Sequence, residues 1–247
     1  MKDIVTLSGD IGGGKSSVAR ILTAALGFQL ISAGGLQREI ATSMGLTTLQ
    51  LNELSSQDRS VDDKIDSRTR WLGENSDGII VDSRLAWYFI PGAYKVFLSV
   101  DPAVGAERVF DASRSDENHH SLAHALENNR LRTQLEASRF KTLYGVHMRD
   151  YRNYDLVVDS SYVSPQIVAD IIENGFRAHR GSVPYPQLWM SPKRLAGLPK
   201  ISSDAVAPLL DLCTLTALEG LFHVASGGEV IAAAMGNGTA LLPARLV

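Results

Sequence analysis

Residues 5 to 17 read VTLSGDIGGGKSS, and within them Gly9, Gly14, Lys15 and Ser16 satisfy the spacing G-x-x-x-x-G-K-[ST]. The chemistry such a spacing serves is phosphate binding. Glycines let the backbone curl until successive N–H groups point at one anion, and the following helix start adds positive potential. The whole loop, Gly9, Asp10, Ile11, Gly12, Gly13, Gly14, Lys15, Ser16 and Ser17, is therefore expected to cradle a nucleoside triphosphate. Lys15 should reach the β- and γ-oxygens, and Ser16 should ligate Mg²⁺. ATP and Mg²⁺ are the cofactors this implies. Asp10 is the odd member, because a carboxylate beside a triphosphate weakens the attraction.

Other residues could complete a phosphoryl-transfer site. The run GIIVDSR ends a strand in Asp82, a usual place for a carboxylate that holds Mg²⁺ or its water. The plainer reading is a helix-capping aspartate after a core strand. Arg84 follows two residues later and could face an acceptor phosphate or a base. In NNRLRTQLEASRFKTLYG, Arg132, Glu136 and Arg139 fall at i, i+4 and i+7, on one helical face, with Arg130 close by. Arginines suit a moving γ-phosphate, since they bind it in bidentate fashion and keep their charge. The plainer reading of each is a solvated charged helix. His120 and His124 share i, i+4 spacing, but their polar surround offers no further ligands and they read as solvated residues.

The elements that must hold these residues alternate. Short apolar runs, DIVTLS, FQLIS, GIIVD, YKVFLSV and YDLVVDS, read as strands. Between them lie helical patterns: GKSSVARILTAALG closed by Gly27, GGLQREIATSM, SVDDKIDSRTRWLG with Val61, Ile65 and Leu72 on one face, a helix begun by Pro102, and a long polar helix from about Ser121 to Tyr144. SPQIVADIIENGF closes the series, with Ser164 as N-cap and Pro165 in the first turn. Alternation of this kind predicts an α/β fold, a mostly parallel sheet covered on both faces. Near 180–200 four prolines, Pro184, Pro186, Pro192 and Pro199, mark a linker or irregular segment. Beyond it the tail reads helix (SDAVAPLLDLCTLT), strand (GLFHVAS), helix (GEVIAAAMGNG) and strand (ALLPARLV). The organisation expected is a kinase-type domain over 1–179 and a small α/β C-terminal domain over 185–247.

Composition narrows the partners. The 247 residues are 45% hydrophobic and 21% charged, which fits a globular chain with a sizeable core. Net charge is −3; residues 181–247 carry 4 basic and 4 acidic residues, leaving 20 and 23 for residues 1–180. Neither part has the basic excess of a tight non-specific nucleic-acid binder. Cys213 is the single cysteine, so no internal disulfide forms and a reducing cytoplasm is expected. No apolar run reaches the ~20 residues that would span a membrane.

Taken together, SGDIGGGKSSVARILTAALGFQLISAG, IDSRTRWL, IIVDSRLAWYFIPGAYKVFLSVDPAVGAERV and RTQLEASRFKTLYGVHMRDYRNYDLVVDSS resemble the cytidylate-kinase-like P-loop nucleotide kinases, over roughly residues 3–175. The resemblance implies the three-layer P-loop kinase fold. It also implies that Arg38 and Arg84 border the acceptor pocket and that Arg132 and Arg139 clamp the phosphates. Asp10 and Ile11 depart from the usual neutral residues of the family's loop. The tail, through WMSPKRL and EGLFHVASGGEVIAAAMGNGTALLPARLV, resembles the ParB/sulfiredoxin-like fold. Gly227, Gly228, Glu229 and Val230 stand where its members carry a G-H-x-R-type signature, which implies recognition or scaffolding and no second active site.

Three functions follow from these readings. One is a (d)NMP kinase that makes nucleoside diphosphates. The second resembles phage enzymes that phosphorylate the hydroxymethyl group of 5-hydroxymethyluracil in DNA, a step of thymine hypermodification; its partner is a modified DNA base in the host cytoplasm. The third is a non-catalytic nucleotide-sensing module, disfavoured by the intact Lys15–Ser16 pair. An anionic acceptor oxygen needs no strong base, whereas an alcohol does. Asp10 and Asp82 are the two candidate bases, the plainer reading of Asp10 being a solvent-facing turn residue. The loop carboxylate and the tail favour the DNA-base kinase, and that is the reading adopted.

Overall fold

In a computed structural model, residues 2–46, 50, 60–112, 121–198, 213–218 and 221–247 are described. The chain runs β1 (Ile4–Gly9), α1 (Lys15–Leu26), β2 (Gln29–Ser32), α2 (Ala33–Ser43), α3 (Ser60–Asn75), β3 (Ile79–Asp82), α4 (Ala86–Phe89), β4 (Tyr94–Ser99), α5 (Pro102–Asp111) and α6 (Leu122–Tyr144). After a 3₁₀ turn (Tyr151–Asn153) come β5 (Leu156–Asp159), α7 (Pro165–Arg180), β6 (Leu188–Met190), α8 (Pro192–Gly197), β7 (Cys213–Leu218), β8 (Leu221–Ser226), α9 (Gly228–Gly236) and β9 (Leu242–Leu246). One nine-stranded sheet holds every strand among the described residues, in the order β2-β3-β1-β4-β5-β6-β9-β7-β8. It is mostly parallel: only β6/β9 and β7/β8 pair antiparallel. The α/β class expected from alternation is the one observed.

Strand β1 is buried along its full length, as a central parallel strand covered on both faces must be. Val5 and Leu7 face α1 and α7, meeting Val18 and Leu22 on one helix and Val168 and Ile172 on the other. Ile4 points to the opposite face, where Leu36 of α2, Leu72 of α3 and Ile90 pack on Ile79 and Val81. The sequence signals at the helix ends are realised. Ser164 accepts a hydrogen bond from Ile167 N, with Pro165 behind it in the first turn of α7. Ser121 likewise accepts from His124 N at the start of α6.

The sheet crosses the boundary expected near 180–185. β6 lies inside the proline-rich segment read as a linker, yet it pairs parallel with β5, Val157 opposite Leu188. Pro192 sits at the first turn of α8, directly after it. A shared core joins the two halves: Phe97, Tyr151 and Tyr154 pack with Met190, Leu215 and Phe222. The rings of Tyr151 and Phe222 stack with centroids 4.6 Å apart. Residues 213–216, read from sequence as the end of a helix, belong to a strand, Cys213–Leu218. Its C-T-L-T-A-L alternates with period 2 and carries two β-branched threonines, a pattern masked by the leucines before it. Residues 199–212, where the rest of that helix was expected, lie outside the described residues. No helix among the described residues is long and apolar enough to cross a membrane.

Candidate active site

The loop expected to bind phosphate joins the C-terminal end of β1 to the N-terminus of α1. Two of its glycines are dictated by close approach. Gly9 has φ 154°, and a Cβ there would lie 2.4 Å from the carbonyl oxygen of Leu98. Gly12 has φ 77°, and its Cβ would lie 2.3 Å from the carbonyl of Gly105 in α5. No side chain fits at either position. The loop carbonyls are held from behind. Gly9 O accepts from Arg84 Nη1 at 2.7 Å and from Lys15 Nζ at 3.1 Å. Gly12 O accepts from Arg108 Nη1 at 3.2 Å, and Gly13 O from Ser160 Oγ at 3.0 Å. The second nitrogen of Arg108 bonds the carbonyls of Ser160 and Ser161, at 2.7 and 3.0 Å. With the carbonyls turned inward, the amides of Gly12, Gly14, Lys15 and Ser16 have no backbone partner among the described residues. That is the geometry of an anion nest at a helix N-terminus.

Lys15 folds back onto its own loop, donating to Asp10 O at 3.0 Å as well as to Gly9 O. Its pKa is lowered from 10.5 to about 8, first by burial and then by Arg84. Asp82, Asp10 and Glu136 pull the other way. A bound polyphosphate would supply the countercharge this ammonium lacks.

Asp10 is not the solvent-facing turn residue of the plainer reading. It is buried, and both its oxygens are taken. Oδ2 accepts from Val100 N at 3.1 Å, and Oδ1 from Arg149 Nε and Nη2 at 3.1 and 2.8 Å. The carboxylate therefore pins the loop to the end of β4 and to the segment before the 3₁₀ turn. Three hydrogen bonds already occupy its oxygens. Arg149 was not singled out in the sequence; the signal that pointed to it is Asp10 itself, since a buried carboxylate demands a cation.

Asp82 ends β3 next to β1, in register with Leu7. It is half-buried, and burial raises its pKa above the usual carboxylate value, against the pull of Lys15 and then Arg84. The turn after it is fixed by Ser8 Oγ, which donates to Ser83 O at 2.9 Å and to Arg84 O at 3.2 Å. Asp82, Lys15 and Arg84 thus form one charged cluster at the carboxyl ends of adjacent strands. The Ser16 hydroxyl and an Asp82 oxygen are hard donors of the kind Mg²⁺ takes, on the phosphate side of the loop.

The remaining expected residues are spread around that cluster. Arg84 reaches back to Gly9, and its Nε lies 3.4 Å from Glu136 Oε2 on α6. Arg139 forms an ion pair with Asp62 of α3, and Tyr144 OH donates to Asp66 Oδ2 at 2.9 Å. α6 is thereby moored to the opposite side of the cleft. Arg132 and Arg38 are exposed. His124 is exposed on α6, His120 lies outside the described residues, and no metal-ligand cluster occurs among the described residues.

The Cytidylate kinase-like family matches residues 4–162. The chain belongs to that family. A cytidylate kinase of Natronomonas pharaonis is 33% identical over 178 residues, covering 71% of this chain and 90% of that protein. An S-adenosylmethionine-dependent nucleotide dehydratase of Lacinutrix mariniflava is 34% identical over 70% of this chain, but only 35% of its own length is covered. Among solved structures, an uncharacterised protein of Eubacterium ventriosum superposes with a TM-score of 0.56 at 18% identity, covering 72% of this chain and 99% of that one. The chain is a P-loop phosphotransferase with nucleotide-kinase-like function. The family match ends at residue 162, before β6 and the rest of the tail.

Proposed function

We propose that this kinase transfers the γ-phosphoryl group of Mg·ATP to the hydroxymethyl oxygen of 5-hydroxymethyluracil in DNA, as in phage thymine hypermodification. The observation that carries this reading is the place of Asp82: a half-buried carboxylate beside Lys15 and Arg84 at the carboxyl ends of the strands. An anionic phosphate acceptor needs no base and is repelled by such a group. A neutral hydroxyl needs one. The hydroxyl oxygen attacks the γ-phosphorus, the bond to the β-phosphate oxygen breaks, ADP leaves, and the hydroxyl proton passes to Asp82. Lys15 and the loop amides hold the β- and γ-oxygens throughout. Mg²⁺, held by Ser16 and one Asp82 oxygen, would neutralise phosphate charge when bound. Asp10 contributes by fixing the loop, so the base role falls to Asp82 alone. A tail resembling a DNA-associated fold supports a polynucleotide acceptor.

A second reading, a (d)NMP kinase with Arg38 and Arg84 on the acceptor phosphate, is favoured by the name of the Natronomonas relative. γ-Labelled ATP offered with CMP, dCMP and UMP, or with DNA bearing 5-hydroxymethyluracil, separates the two. Label in the DNA as an acid-stable phosphomonoester is expected. Label only in nucleoside diphosphates overturns the proposal.

A further inference from the structure

Asn129 sits midway along α6 and is buried, one residue before the exposed Arg130. Its Oδ1 and Nδ2 are both shielded from solvent, and neither meets a hydrogen-bond partner among the described residues. A buried amide unpaired at both ends is destabilising, a cost that a ligand pairing with both ends relieves. The residue lines a cavity of about 1160 Å³, room enough for a nucleotide. Lys15, Ser16, Asp82, Arg84 and Arg38 do not line that cavity. The helix divides the two compartments. Leu126, Asn129, Thr133 and Ala137 follow one another at helical spacing on the cavity side, whereas Glu136 and Arg139 turn towards Arg84 and Asp62. Ala217 and Leu246 supply a further wall. Both belong to the tail, past residue 162, where the family match ends. The compartment is therefore separate from the reacting cluster, and the tail helps to make it.

The lining points to one kind of ligand. Apolar Ile11, Val100 and Leu126 offer surface to a flat ring. The carboxamide presents a donor beside an acceptor in one plane, the complement of a nucleobase edge. Arg130, Arg149 and Arg152 offer cations to a phosphate. Arg130 pairs with Glu127 and Arg152 with Asp150, each inside its own segment. Exposed local pairs of this kind are weak and exchange readily for a phosphate. Arg149 differs, because it holds Asp10 of the phosphate-binding loop. Asp10 in turn accepts from Val100 N with its carboxylate and from Lys15 Nζ with its carbonyl. An anion drawn to Arg149 competes with Asp10 for the guanidinium and slackens the anchor of the loop.

We infer that this cavity is a second nucleotide site, whose occupant does not react and weakens ATP binding through Arg149 and Asp10. Asn129 pairs with the base edge, and the arginines take the phosphate. The inference does not depend on which acceptor the reacting cluster serves.

The test is titration calorimetry of the full chain with a non-hydrolysable ATP analogue and Mg²⁺, at rising concentrations of dAMP or dTMP. At least one of the two should raise the Kd of the analogue by about 5–150-fold and then level off, as coupling between two separate sites requires. Asn129→Leu should abolish the rise, bind the analogue alone as the parent chain does, and keep an equal or higher Tm. Asn129→Ala serves if the leucine variant fails to fold. Arg38→Ala, at the position the family resemblance assigns to the acceptor pocket, should keep the rise. No rise with either nucleotide would overturn the inference. So would a rise without limit, which is competition for the loop itself. A rise that survives in Asn129→Leu, or one that is lost in Arg38→Ala, would place the nucleotide elsewhere and overturn it too.

Discussion

Lys15 is held in its loop by two carbonyls and carries a pKa of about 8 in place of 10.5. Burial is the main cause, so anionic phosphate in the loop should restore the proton. Binding of Mg·ATP near pH 9 is therefore predicted to take up protons, approaching one per site. Titration calorimetry in buffers of different ionisation heat reads this directly, and Lys15→Ala should abolish both the uptake and phosphoryl transfer. The sign for folding is consistent: between about 8 and 10.5 the unfolded chain binds more protons at this residue, so its contribution to stability rises with pH across that window. The two loop-side carboxylates should part company on substitution. Asp82→Asn removes the base and should lower kcat by ~10²–10⁴ with little change in Tm. Asp10→Asn leaves Arg149 without its charge partner and should cost about 1–3 kcal/mol of stability, discounted because Arg149 is partly exposed. Its kcat should fall far less than that of Asp82→Asn. Equal losses of kcat in the two variants would show that the ion pair is not the main task of Asp10. The loop's glycines, Lys15 and Ser16 were legible in the sequence because their fixed spacing falls within one short segment, Gly9 to Ser16. The task of Asp10 was not, since its partner is 139 positions away.

At the scale of elements, α6 is moored across the cleft. Glu136 lies against Arg84 and Arg139 pairs with Asp62. The i, i+4, i+7 face of this helix was readable from spacing, yet the spacing could not say that its glutamate and one of its arginines would be engaged by β3's turn and by α3. If Arg139 must leave Asp62 to meet the phosphates, Asp62→Asn removes a competitor. Half-exposed pairs are weak, so KM for ATP should fall only about 2–5-fold. Arg139→Ala should lower kcat by ~10²-fold or more, as expected when a cation at developing charge is lost. Steady-state kinetics on the two variants separates the roles. An unchanged kcat in Arg139→Ala would leave α6 a structural strut. Apart from the single turn α4, strand and helix assignments from β1 to α7 followed from clean alternation of apolar runs and caps. β6 and β7 escaped the sequence reading for physical reasons: three residues between prolines carry too little pattern for β6, and β7 follows directly on a leucine-rich stretch.

For the whole molecule, the tail behaves as an extension of the sheet. The contact that binds it is buried and charged. Arg194 of α8 donates to Asp159 Oδ1 at 3.0 Å and to Ser99 Oγ at 2.8 Å. Asp159, fully buried at the end of β5, also accepts from Ser191 N at 3.1 Å. Neighbouring Ser160 holds Gly13 O, so a change at Arg194 lies only a few bonds from the phosphate-binding loop. A buried carboxylate stripped of its cation is strongly unfavourable. Arg194→Ala is thus predicted to destabilise the chain by about 3–5 kcal/mol. Urea denaturation should show this as a lower midpoint at an unchanged m-value. Combining Arg194→Met with Asp159→Asn removes both charges and should recover much of the loss, because the penalty lies in the unpaired ion more than in the missing pair. The destabilised single variant should also bind ATP more weakly, through Ser160 and Gly13, while the double variant regains affinity along with stability. A loss below about 1 kcal/mol in Arg194→Ala, the scale of a surface pair, would mean that the Tyr151–Phe222 stack and the β5–β6 ladder hold the tail without this ion pair.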